Sequence, residues 1–271
     1  MNRGLLAKSL RETWRMTVAF GLGLVAVEAM LAYALPKFEL QFQALLSQLT
    51  FVQDILQTLV GADVSGRFGP EAFGAIAWVH PVVLALAWGH AISFCTRLPA
   101  GEVDRGTIDV LLGLPVSRWR IYLCESAVWI VSGAVVTALL AAGNIAGGSL
   151  LTGVPRPGAG PLLIATVNMF CLYLSVGGMA WLVSAASDHR GRAVAIVFTF
   201  VVASFLLNYL GYYWRAAERL AFLGVLNYYK PLAILRDGAW PAGDMVVLLL
   251  AAGTLWLAGG LLLARRDLAA L

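Results

Sequence analysis

The side chains best able to do chemistry in this chain are crowded into one short charged stretch, AGEVDRGTIDVLLGLPVSRWR at 100–120, wedged between two long apolar runs. Glu102, Asp104 and Arg105 lead into Gly106 and Thr107, and Ile108-Asp109-Val110-Leu111-Leu112 follows as a compact amphipathic turn. Thr107 suits an N-cap, its hydroxyl accepting from the free N–H groups of the first turn, with Asp109 placed near that positive end. Gly113 and Pro115 stop the turn, because proline bars the residue before it from helical geometry. Ser117 then stands where the next helix needs its cap. The stretch reads as helix, break, helix across the mouth of an apolar bundle.

Elsewhere the chemistry is sparse. The sequence contains no G-x-x-x-x-G-K-[ST], and its lysines, Lys8, Lys37 and Lys230, lie in no glycine-rich phosphate loop, so ATP cannot be bound by that route. No Ser–His–Asp spacing, H-E-x-x-H or paired-carboxylate site stands out, and three histidines leave little for metal chemistry. His80 and His90 are about 80° apart around a helix axis, not the stacked pair of a helical zinc site, and read as packed or hydrogen-bonded groups. Pro81 should kink its helix at His80. Cys95, Cys124 and Cys171 fall in or beside apolar runs and read as small buried residues, not as disulfides or ligands.

Two carboxylates interrupt the apolar runs. Glu28 is costly in lipid and should face the bundle interior, a water-filled path or a partner subunit, unless it lies near enough to the outer interface to reach water. Glu125, one turn inside a span, either pairs with Arg118 and Arg120 or takes part in a gate at the pore mouth.

The elements that must position these groups follow from composition. Of 271 residues, 60% are hydrophobic and 13% charged, more apolar surface than a soluble domain can hide from water. About 20 apolar residues cross ~30 Å of hydrocarbon, and six stretches qualify: 17–35, 73–97, 119–151, 161–186, 193–214 and 245–264. Residues 1–16 place Leu6, Leu10 and Trp14 on one face against Arg3, Lys8, Arg11, Glu12 and Arg15, which predicts an interfacial elbow helix ahead of the first span. The following run is long enough to span, which argues against a cleaved signal peptide. Residues 38–71 begin with leucines and a valine at three- and four-residue spacing against glutamines, an amphipathic helix too wet to span. The segment 215–243 carries Arg215, Glu218, Arg219, Lys230 and Arg236 among aromatic residues, which predicts external interfacial helices and no seventh span. Gly143 and Gly147 form one small-xxx-small pattern that would allow close helix approach. With the N-terminus inside, the inner side holds 12 of the 19 Lys and Arg and the outer side the remaining 7. That bias places both termini and the 100–118 loop in the cytoplasm, and the net charge of +4 reflects span ends and anionic lipid, not nucleic acid.

The order E-x-D-R-G-T-I-D-x-L-L-x-x-P-V-S-R, from Glu102 to Arg118, closely resembles the loop between the second and third spans of ABC-2-type ABC transporter permeases. The external insert after the first span and the ending Arg265-Arg266-Asp267 are similar to that family too. The resemblance implies an all-α polytopic membrane subunit of a bacterial exporter in the inner membrane. The 100–118 loop would be the coupling helix, and a second permease subunit, expected to be an identical copy, would complete the pore. Two copies of a separate ABC ATPase would carry ATP and Mg²⁺, this chain binding no cofactor. Leu111 and Leu112 would form the apolar docking surface, Glu102, Asp104, Arg105 and Asp109 the polar contacts, and Gly106 the tight entry, with Thr107 and Pro115 bounding the helix. Glu28 and Glu125 are candidates for the path or gate. A mostly apolar bundle suits an amphiphilic or hydrophobic cargo such as a drug or lipid. A scaffold or sensor that transports nothing, and an intramembrane enzyme using His80, His90 or Glu28, are the rival readings.

Overall fold

The computed structural model describes residues 3–38, 70–113, 115–151, 156–211 and 213–266. Nearly all of the expected external helix at 38–71 therefore lies outside the described residues. The elements are α1 (Arg3–Ala34), α2 (Pro70–Val79), α3 (Pro81–Cys95), α4 (Ala100–Asp104), α5 (Ile108–Leu112) and α6 (Arg118–Ser149). They continue with α7 (Ala159–Ala186), α8 (Arg190–Gly211), α9 (Arg215–Leu220), α10 (Pro231–Asp237) and α11 (Ala242–Arg265). Among the described residues there is no strand, and six helical stretches are long and apolar enough to cross a membrane. This is an all-α polytopic membrane fold.

The expected elbow is not a separate element. α1 runs unbroken for 32 residues, about 48 Å at 1.5 Å per residue, because no glycine or proline lies between Gly4 and Gly21 to interrupt it. Leu5, Ser9 and Thr13 turn into the bundle while Leu10 and Trp14 stay exposed, so the first turns carry an outward apolar stripe as an extension of the span.

The second span is jointed at the expected place. His80 leaves helical geometry (φ −57°, ψ 131°) and its Nδ1 accepts from the Val82 N–H, capping α3 behind Pro81. Ser117 likewise caps α6, its hydroxyl accepting from the Arg120 N–H at 3.3 Å. α1 packs along α6, and α7 along α11. Both seams depend on glycine: a Cβ at Gly143 would lie 2.7 Å from the Val25 carbonyl oxygen, and one at Gly178 would lie 2.6 Å from that of Ala252.

The segment 215–243 does not cross. α9, two short 3-10 turns and α10 fold back against α2, α7 and α8. The Tyr229 hydroxyl donates to the Trp78 carbonyl (3.3 Å), and α10 buries Leu232, Ile234 and Leu235.

Candidate functional site

The antiparallel run of spans gathers one end of the bundle from the start of α1, the end of α3, α4 and α5, the start of α6, the α7–α8 turn and the end of α11. We call this the loop end. The 100–118 stretch folds as two short helices, not one. Gly106, at φ +68°, makes the turn between them, a conformation open to glycine without a Cβ clash, and its N–H bonds back to the Val103 carbonyl at 2.9 Å. Ala100, Glu102 and Val103 bury α4 against the bundle, and Ile108 roots α5 at 1% exposure. Val110 points away at 76% exposure. The backbone of Leu111 and Leu112 completes α5; their side chains lie outside the described residues.

Glu102 folds the loop on itself: its carboxylate accepts from Arg105 (2.8 Å) and from the Thr107 hydroxyl. The Thr107 hydroxyl thus donates back to Glu102. Outward, the loop presents Arg105, Asp109, Val110 and Pro115. Asp104 is also exposed, and His189 of the α7–α8 turn donates to it at 3.0 Å. That hydrogen bond is the main reason the Asp104 carboxyl is held below the usual carboxylate range. A carboxyl lowered in the folded chain favours folding above its ordinary value. The Asp104–His189 link is therefore kept at neutral pH and lost as the pH falls through the lowered value.

Glu125 does not pair with Arg118 or Arg120. Arg118 lies two turns below it, about 10 Å along the axis, and Arg120 points to the opposite face of the helix. Its partner is Arg97, which closes the second span. Arg97 joins Glu125 and Glu12, Ser9 donates to Glu125 at 2.7 Å, and the side chains of Arg97 and Glu125 are 10% and 6% exposed. α1, the end of α3 and the start of α6 thus meet at one buried guanidinium. From the sequence alone Arg97 is one more positive residue at a span end, with no partner indicated. The usable signal was depth: Glu12, Arg97 and Glu125 are the ionisable groups flanking three span ends that topology brings to one side. Between the first turns of α1 and the loop lies an open cleft of about 720 Å³, lined by Lys8, Glu12, Arg97, Glu102, Arg105, Thr107 and Val110.

Glu28 faces the interior, 0% exposed. The Asn144 amide donates to its Oε1 at 2.8 Å, and Oε2 is buried with no hydrogen-bond partner among the described residues. The pair sits on the α1–α6 seam, apart from the loop end. Asn144→Leu should cost about 1–3 kcal/mol by leaving the whole carboxyl unpaired, and pairing it with Glu28→Leu should return part of that. Thermal unfolding of the detergent-solubilised protein measures both. His90, unlike Glu28, is fully satisfied: Thr17 Oγ1 and Tyr173 Oη lie 3.1 and 2.9 Å from its two ring nitrogens. Between α3 and α8 lies a cavity of about 400 Å³, lined by Leu84, Trp88, Ile92, Phe198, Val202 and Phe205 among others and by no charged residue.

Residues 8–254 match the family model of the ABC-2 family transporter protein. The chain belongs to the ABC-2 transporter family. It is a multi-pass permease subunit, a membrane transport component, and permeases of this family generally partner with an ABC ATPase. No curated protein matches the chain. The matched region takes in α1 from Lys8 onward, the whole 100–118 loop and about the first half of α11 of this permease.

Proposed function

We propose that this permease moves an amphiphilic or hydrophobic cargo, a drug or lipid, outward across a bacterial inner membrane, driven by a separate ATPase seated on α4 and α5. The observation that carries this reading is the build of the loop end. A short helix is rooted at Ile108, displays Val110, and adjoins a buried node through which Arg97 joins three spans. An ATPase pressing on α5 would thereby press on α6 through the chain and lie against the node across the cleft. Two permease subunits, taken as identical, would each bind one ATPase, with ATP and Mg²⁺ on the ATPase alone. Both termini and the loop end would face the cytoplasm, where ATP is. The uncharged cavity between α3 and α8 supports a cargo with little charge.

The test is co-purification with a candidate ABC ATPase, sought first in the neighbouring reading frames. Leu111→Asp/Leu112→Asp should insert and fold as wild type yet lose the ATPase, and Val110→Asp should weaken the complex. Retention by the doubly charged variant, or a wild type that binds no ATPase, would overturn the reading.

A further inference from the structure

Helix C-termini leave carbonyl groups that need donors from elsewhere. At the loop end two arginines supply them across helices. α7 ends at Ser187 in an extended conformation, and the carbonyls of Ala185 and Ser187 accept from the Arg266 guanidinium at 2.8 and 3.3 Å. The same guanidinium pairs with Asp188. Arg266 itself leaves α11 extended, and its carbonyl, with that of Leu263 at 3.2 Å, accepts from Arg118, the first residue of α6. One residue past Asp188, His189 reaches Asp104 on α4. The links close a ring: α4 to the α7–α8 turn, to the end of α11, to the start of α6, and back through α5.

We propose that Arg266 is a positioning residue that makes the α4–α5 loop and the ends of α6, α7 and α11 move as one body. The driving force rests on the ATPase reading above; the ring itself does not. Arginine is required because a planar guanidinium offers five donors, enough for two carbonyls and a carboxylate together, which an ammonium cannot arrange. Without it α6 would still follow α5 through the covalent chain, Arg118 would still bond the α11 carbonyls, and α4 would still meet α7 through Ser184 and Asp104–His189. The ends of α7 and α11, however, would lose the guanidinium that joins them, and the ring would open there.

Hydrogen exchange read by mass spectrometry on the purified full-length permease tests the ring. Arg266→Ala should speed exchange several-fold in three separated segments together, 100–107, 118–122 and 184–188, while the exposed neighbour substitution Arg265→Ala should not. Should Arg266→Ala fail to fold, Asp188→Asn, which spares both carbonyl contacts, should give the same pattern more weakly. A rise confined to 263–266, or none, would overturn the proposal. Adding the ATPase and ATP supplies a readout that a local structural role would not move. In Arg266→Ala the 100–107 and 184–188 segments should still respond, joined through Ser184 and Asp104–His189, and 263–266 should respond less than in wild type. An equal response of 263–266 in wild type and variant would also overturn it. A wild type that binds no ATPase would remove the proposed function, while exchange in the permease alone would still decide the ring.

Discussion

Arg97→Leu should destabilise the permease by about 3–5 kcal/mol, the cost of stripping a buried ion pair of one partner. The size follows from what remains. Glu125, with a side chain 6% exposed, would keep, among the described residues, only the Ser9 hydroxyl as a donor, and a carboxylate so placed must be neutralised or dragged to water. Glu12 is 39% exposed and also pairs with Lys8 at 3.0 Å, so Glu12→Gln should cost well under 1 kcal/mol, as exposed pairs do. The asymmetry is the sharper expectation. Arg97→Leu/Glu125→Gln should recover more than half of the loss, since the unpaired charge has gone, and a double-mutant cycle from thermal unfolding in detergent measures the coupling. A loss at Arg97 no larger than at Glu12 would show that the guanidinium does not hold the three spans together.

How far the fold and its site can be read from the chain depends on the range of the interaction concerned. Features set within a few residues are legible: Pro81 breaks the second span at His80, Ser117 caps α6, Gly106 turns between α4 and α5, and hydropathy alone finds six spans. The continuity of α1 escaped because amphipathicity in residues 1–16 suggested a separate interfacial helix, although no residue there can break one. The partner of Glu125 escaped for a different cause. Arg97 lies 28 residues away, and pairing it requires knowing the depth at which two helices cross, which periodicity within either does not contain. The same holds for Asn144 and Glu28, 116 residues apart. It holds for the arginines at 118 and 266, which look like ordinary positive ends of spans and are used as caps for other helices. Charge counting recovers their side of the bundle and nothing finer. The docking role of Leu111 and Leu112 remains a reading of pattern and resemblance, because their side chains lie outside the described residues.

Gly147→Ala should be among the most damaging single-methyl changes in the chain, and Gly148→Ala, one residue on, harmless. A Cβ at Gly147 would overlap the Ala29 carbonyl oxygen and lie 2.7 Å from its carbon, whereas one at Gly148 meets nothing within 4 Å. Backbone cannot rotate aside as a side chain can, so α1 and α6 must move apart. Helix association in a membrane rests on close van der Waals approach and cross-helix hydrogen bonds, lipid being as apolar as leucine. Separation would weaken both, since the Asn144–Glu28 bond lies on the same seam one turn away. The cost should be about 3 kcal/mol, at the top of the range for overpacking, whereas Gly148→Ala should leave stability unchanged or raise it slightly through helix propensity. Thermal unfolding of the two variants decides the point, and disulfide trapping between cysteines introduced on α1 and α6 reports the gap directly. If the two alanines behave alike, the seam is not closed at Gly147. If they diverge as expected, α1 and α6 form one rigid pair. Ser9, Glu12 and Glu125 at the loop end are then held in register by a contact whose closest point lies some twenty residues away along either helix, about 30 Å at the helical rise.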